Sequence, residues 1–212
     1  DQIPNIKVIA TGSSSFDLRH QIGEPLTGRK TTLTLYPILQ VEMLKQFNKF
    51  ELSNDLANFL IFGSYPEIIT AGTRQQKIDI LNEITNSYLL KDILTFEKLK
   101  DSLTISNLLK LLAFQVGSEV SISELATKLG INNRTVERYL DLLEKSFIIF
   151  RLQAYSGNLR KELTGKFKYY FLDNGIRNSL INQLNDLPNR NDIGQLWENF
   201  IFIERLKKNA YT

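Results

Sequence analysis

The feature that most constrains this chain is the run of residues 121–168, where two capped helices are separated by almost nothing. Ser121 is followed three residues later by Glu124, the pairing that lets two side chains satisfy free backbone N–H groups at a helix start. The spacing predicts a helix over 123–129, closed by Gly130, a residue suited to the left-handed conformation that ends helices. After Ile131, Asn132 is placed to cap a second helix over 133–145, whose apolar face is Val136, Tyr139, Leu140 and Leu143. The apolar runs 147–152 and 167–172 then read as two strands joined by a polar loop.

Helix, tight turn, helix and a two-stranded ribbon, in that order, describe a winged helix-turn-helix. If its second helix enters a major groove, Asn133, Arg134, Thr135 and Arg138 face base edges, with the acidic Glu137 between them. The loop over 156–166 carries Arg160, Lys161 and Lys166, with Lys168 just beyond and only Glu162 acidic, so it is locally positive and suited to phosphates. The alternative is a unit that packs on a partner protein or a second copy, its charges merely solvated. The formal net charge of +3 permits a polyanion partner without requiring one.

Composition removes several chemistries. With no cysteine there are no disulfides, thiolate zinc sites or cysteine nucleophiles, which fits a cytoplasmic protein. His20, the single histidine, lies in a polar turn and is expected to be solvated; it leaves no imidazole cluster for a metal or a nucleophile. No apolar run approaches the roughly 20 residues that a membrane span needs. The carboxylates Asp173, Asp192, Glu198 and Glu204 fall in one region, but Glu198 and Glu204 do not share a helix face well. Trp197 is expected to anchor the packing of a final helix over 194–208.

Ahead of the double helix, residues 6–11 form a short apolar run closed by Gly12-Ser13-Ser14-Ser15, which reads as a buried strand ending in a turn. Residues 31–35 alternate up to Tyr36-Pro37 and read as a second strand. Two strands make too little sheet, so this part reads as the end of a larger α/β unit, the chain being a piece of a longer protein. Residues 38–100 and 102–115 follow helical periodicity. Thr11 and Ser13, at a strand end, are residues of the kind that face a bound γ-phosphate. Arg29 precedes the second strand, where it either reaches a neighbour's phosphate or is an ordinary exposed residue.

Read together, IKVIATGSSSFDL, EPLTGRKTTLTLYPI, FGSYPEII, YLLKDIL, the stretch LLAFQVGSEVSISELATKLGINNRTVERYLDLLEKSFIIFRL, YFLDNGIRNSLI and RNDIGQLWENFIFIERLKKN resemble prokaryotic AAA-type ATPases that carry an uncharacterised C-terminal domain. The resemblance implies that Thr11 and Ser13 stand at a nucleotide-sensing position and that Arg29 lies in a stretch where an arginine acts in trans. It implies a P-loop core remnant over 1–37, a helical lid over 38–100, the winged helix over 101–172, and the start of a restriction-endonuclease-like domain over 173–212. In such a nuclease fold Glu198 would be one carboxylate of a metal site, whose companion Asp and Glu-x-Lys strand are missing. The expected fold class is mainly α with α+β elements. The chain contains no G-x-x-x-x-G-K-[ST] and no strand ending in Asp-Glu, so ATP and Mg²⁺ are cofactors expected of the intact parent alone. By itself this stretch is expected to be inactive as an ATPase, to bind no metal, and to have DNA or a homo-oligomer as partner.

Overall fold

In a computed structural model the protein is described over residues 9–12, 31–89, 102–153 and 167–211. Helix starts are set by local chemistry. Asn48 opens a helix by accepting from the amides of Phe50 (3.0 Å) and Glu51 (2.9 Å), while Glu51 accepts from the Asn48 amide (2.8 Å). Five short helices result: α1 (Gln40–Met43), α2 (Lys49–Asn54), α3 (Leu56–Phe62), α4 (Pro66–Thr70) and α5 (Arg74–Glu83), the last running on as a π-helix over Ile84–Leu89. Gly63 ends α3 with φ 75°, and Pro66 opens α4, where the missing N–H is no loss.

The next elements are α6 (Ser102–Phe114), β1 (Glu119–Val120), α7 (Ile122–Leu129), α8 (Asn133–Lys145), β2 (Ile149–Gln153) and β3 (Phe167–Phe171). The three strands form one antiparallel sheet in the order β1-β3-β2, with Ile149 opposite Phe171 and Val120 opposite Phe167. Then come α9 (Asn174–Leu180), a 3₁₀ turn (Leu187–Asn189) and the long α10 (Ile193–Tyr211). The fold is thus mainly helical with a small antiparallel sheet. No helix among the described residues is long and apolar enough to cross a membrane.

One hydrophobic cluster joins Ile61, Ile68 and Leu81, the inner faces of α6, α7 and α8, Tyr169 and Phe171 of β3, and Ile176 and Leu180 of α9. Packing is therefore continuous across the segment boundaries at 100 and 172. A second, smaller cluster gathers Met43, Leu52 and Phe59, and a third holds Tyr170, Leu172 and Ile203 with Tyr36 and Phe202 against them.

Three expectations need correction. The strand expected over 6–11 lies outside the described residues up to position 8, and residues 9–12 have no sheet partner among the described residues. Residues 31–36 are likewise unpaired, with Leu33 83% and Leu35 90% exposed. A strand needs a neighbour for its N–H and C=O groups, and the three described strands pair only with one another. Trp197 is 36% exposed rather than buried. The buried stripe of α10 is Leu196, Asn199, Ile203 and Lys207, and Trp197 sits about 100° round the helix from it, edge-on to Phe200 at 6.1 Å.

Candidate functional site

Helix α8 is positioned from both of its faces. Asn132 caps it, its Oδ1 accepting from the Thr135 amide (2.8 Å) and the Thr135 hydroxyl (3.0 Å). Gly130, at φ 67°, turns the chain between α7 and α8, and the Ile131 amide reaches back to the Ala126 carbonyl (3.1 Å). Val136, Tyr139, Leu140 and Leu143 are buried, in one cluster with Leu125 and Ala126 of α7 and Ile149 of β2. That leaves Asn133, Arg134, Glu137 and Arg138 exposed on the outer face, with Thr135 half-buried. The Arg138 guanidinium lies 5.4 Å from the Tyr139 ring centroid. Lys128 pairs with Glu124 and Lys145 with Asp141, each at 2.6 Å.

The remaining predicted residues are divided by the sheet. Along β3, Tyr169 and Phe171 turn into the cluster shared with α8, whereas Tyr170 packs with Ile203 and Phe202 of α10. By the two-residue period of a strand, Lys168 shares the Tyr170 face, and its Nζ lies 3.5 Å from Glu198 Oε1. Lys168 therefore faces α10, across the sheet from the exposed face of α8. Thr11 is described and exposed. Ser13, Arg29, Arg160, Lys161 and Lys166 lie outside the described residues.

Glu198 accepts a hydrogen bond from the Tyr170 hydroxyl (2.7 Å), and burial followed by that bond raises the phenol's pKa. No group of three or more His, Cys, Asp or Glu side chains among the described residues is arranged to hold a metal ion. The four carboxylates noted in the sequence are each committed elsewhere. Asp173 accepts from the Ser64 amide (2.8 Å), Asp192 pairs with Arg177 and Arg190, Glu198 holds Tyr170, and Glu204 accepts from the Gln40 amide (2.9 Å).

A buried polar network around α9 escapes sequence reasoning. Every residue of α9 is buried, including Asn174, Arg177 and Asn178. Asp173 caps it through the Ile176 amide (3.1 Å). Arg177 donates to the Ala113 carbonyl (2.8 Å), and Asn178 to the carbonyls of Leu60 (3.0 Å) and Ile61 (2.8 Å). Asn199 of α10 both accepts from the Phe171 amide (2.8 Å) and donates to its carbonyl (2.9 Å) and to Asn174 Oδ1 (2.7 Å). Lys207 is 2% exposed, 3.5 Å from the Ser64 hydroxyl and 3.9 Å from Glu204, and burial lowers its pKa. Burial raises that of Asp173 against the opposing pull of Lys207 and three backbone amides. The visible clue was a polar residue at every second position of the buried stripe 196, 199, 203, 207. The network locks α3, α6, α9, α10 and β3 together.

A family model for a domain of unknown function (DUF8612) matches residues 53–187, from α2 to the 3₁₀ turn. The chain belongs to that family. The DUF8612 stretch contains the α6-to-β3 unit and α9, and leaves α10 outside it. An AAA domain model matches residues 1–44, which bears out an AAA-type character at that end. An uncharacterised protein of Haemophilus influenzae is 29% identical over 96% of this chain and 52% of its own length. One from Methanocaldococcus jannaschii is 27% identical over 97% of this chain and 48% of its own length, and one from Mycobacterium tuberculosis 24% over 92% and 43%. The chain spans about half the length of the curated relatives it matches. No solved structure matches it.

Proposed function

We propose that residues 102–171 form a winged helix-turn-helix that binds DNA through the outer face of α8, as the nucleic-acid-contacting part of an AAA-type ATP-binding protein. The observation that carries this reading is the order α6-β1-α7-α8-β2-β3 closed by a sheet in the order β1-β3-β2, with Arg134 and Arg138 on the face of α8 left uncovered. One turn apart, the two arginines form a positive edge suited to phosphates and guanine edges. Arg160, Lys161 and Lys166, which lie between β2 and β3 in the sequence, are the further cations of this reading. ATP binding with Mg²⁺, and hydrolysis, belong to the intact parent, with Thr11, Ser13 and Arg29 as its nucleotide-sensing residues.

Fluorescence anisotropy with a labelled DNA duplex tests the DNA reading. Replacing Arg134 and Arg138 by Ala weakens binding by about 1–3 kcal/mol each if they contact bases, and an unchanged affinity removes α8 from the interface.

A second reading, a protein-interaction or oligomerisation module, is favoured by Leu103 (69% exposed) and Phe114 (61% exposed) on α6. Eleven residues apart, they share one face within about 20°. In that case replacing Leu103 and Phe114 by Ser changes the sedimentation behaviour, while the arginine variants leave DNA affinity near zero and unchanged.

A further inference from the structure

Helix α10 lies outside both matched stretches, 1–44 and 53–187, yet it grips residues on each side. At its C-terminal end the Tyr211 hydroxyl accepts from the Tyr36 amide (3.1 Å) and donates to the Thr34 carbonyl (3.3 Å), and the two tyrosine rings meet edge-on at 6.0 Å. About two turns earlier, Glu204 accepts from the Gln40 amide. The N-terminal half instead holds the sheet. Glu198 takes the Tyr170 hydroxyl, Asn199 makes a paired hydrogen bond with the Phe171 backbone, and Phe202 stacks on Tyr170 at 4.0 Å while also touching Phe150 of β2 at 5.6 Å. Within the C-terminal grip, Lys207 is buried against Ser64, so the helix cannot roll without breaking that contact as well.

From Glu198 to Tyr211 the helix spans about 20 Å. Ordinary helix packing needs neither backbone hydrogen bonds at both ends nor a lysine buried beside one of them. We propose that α10 is a strut coupling the position of residues 34–44 to strands β2 and β3, so that a displacement at one end is felt at the other. It rests on the reading above only for what the ends do: the AAA-matching segment supplies the displacement, and the winged helix receives it.

The test needs neither ATP nor DNA. Amide hydrogen exchange is measured by NMR on the full chain with Tyr211→Phe, which deletes only the hydroxyl, and separately with Tyr170→Phe. Both changes are conservative, so the fold is retained. A strut predicts that Tyr211→Phe speeds exchange at the Phe171 amide by about fivefold, and Tyr170→Phe does so at Tyr36 and Gln40, with the α7 amides unchanged. Changes confined to the neighbourhood of each substitution, or an equal rise in α7, overturn the proposal. A parallel sample with duplex DNA keeps the two ideas apart. Absence of DNA binding removes the DNA reading, while the cross-effects in the DNA-free samples decide the strut.

Discussion

The meeting of the Gly63 turn with the Asp173 turn is open to a three-glycine comparison. Gly63 has φ 75°, and a Cβ there would fall well inside contact distance of the Asp173 carboxylate. Gly130 has φ 67° with open space around it, and Gly194, in the first turn of α10, also faces open space. Gly130→Ala therefore isolates the conformational penalty, about 1–2 kcal/mol. Gly63→Ala carries that penalty and also displaces Asp173, which leaves the Ser64 amide unsatisfied and uncaps α9. A buried unsatisfied donor costs about 1–3 kcal/mol and a lost cap about 1, so the total is about 3–6 kcal/mol. Gly194→Ala should stabilise by about 0.5–1 kcal/mol, because a helix favours Ala. Urea unfolding followed by far-ultraviolet circular dichroism gives all three, provided the slopes agree. A Gly63→Ala cost no larger than that of Gly130→Ala would refute the claim that the two turns are interlocked through Asp173.

Two more predictions concern the same network. Asn199→Leu deprives the buried Phe171 amide and Asn174 of their partners, and should lower unfolding stability by about 2–4 kcal/mol in the same assay; a loss under 1 would mean water replaces it. For Asp192, burial raises the carboxyl pKa, but the guanidinium groups of Arg190 and Arg177 outweigh it and hold the group below the ordinary 3.8. A depressed carboxyl contributes stability above its unfolded pKa and loses it as pH falls through the folded one. Wild-type stability should therefore fall as pH drops below about 4, and Asp192→Asn should flatten that part of the profile; equal slopes would contradict the assignment.

Local chemistry made much of the fold readable. Ser121, Gly130 and Asn132 act on residues within four positions, so the end of α7 and the starts of α7 and α8 are readable from spacing. The Glu124 side chain, expected to complete a reciprocal cap with Ser121, pairs with Lys128 instead. Two strands of the small sheet follow from the apolar runs 147–152 and 167–172, whereas the two-residue β1 carries no such signal. What escaped depends on partners distant in the chain. Asn178 reaches Leu60, Arg177 reaches Ala113 and Lys207 reaches Ser64, so polar residues that look destined for solvent are buried. The same distance effect exposed Trp197, because a buried stripe containing Asn199 and Lys207 turns the helix away from the orientation its apolar residues suggest. Lys168 stands on β3 just beyond the loop, as its place in the sequence implies, but its pairing with Glu198 depends on α10, a partner distant in the chain. The unpaired residues 31–36 show the limit of alternation alone, which marks a strand's faces and says nothing of its neighbour.

The central claim, that the α6-to-β3 unit meets DNA through α8 and the β2–β3 loop, is tested most directly by the salt dependence of binding. Arg134, Arg138, Arg160, Lys161 and Lys166 supply five cations. If each releases a counterion at about 0.9 per phosphate, a plot of log K against log salt has a slope between about −3 and −5, and Arg134→Ala with Arg138→Ala makes it shallower by about 2. A slope near zero, or one that the double substitution leaves unchanged, contradicts it.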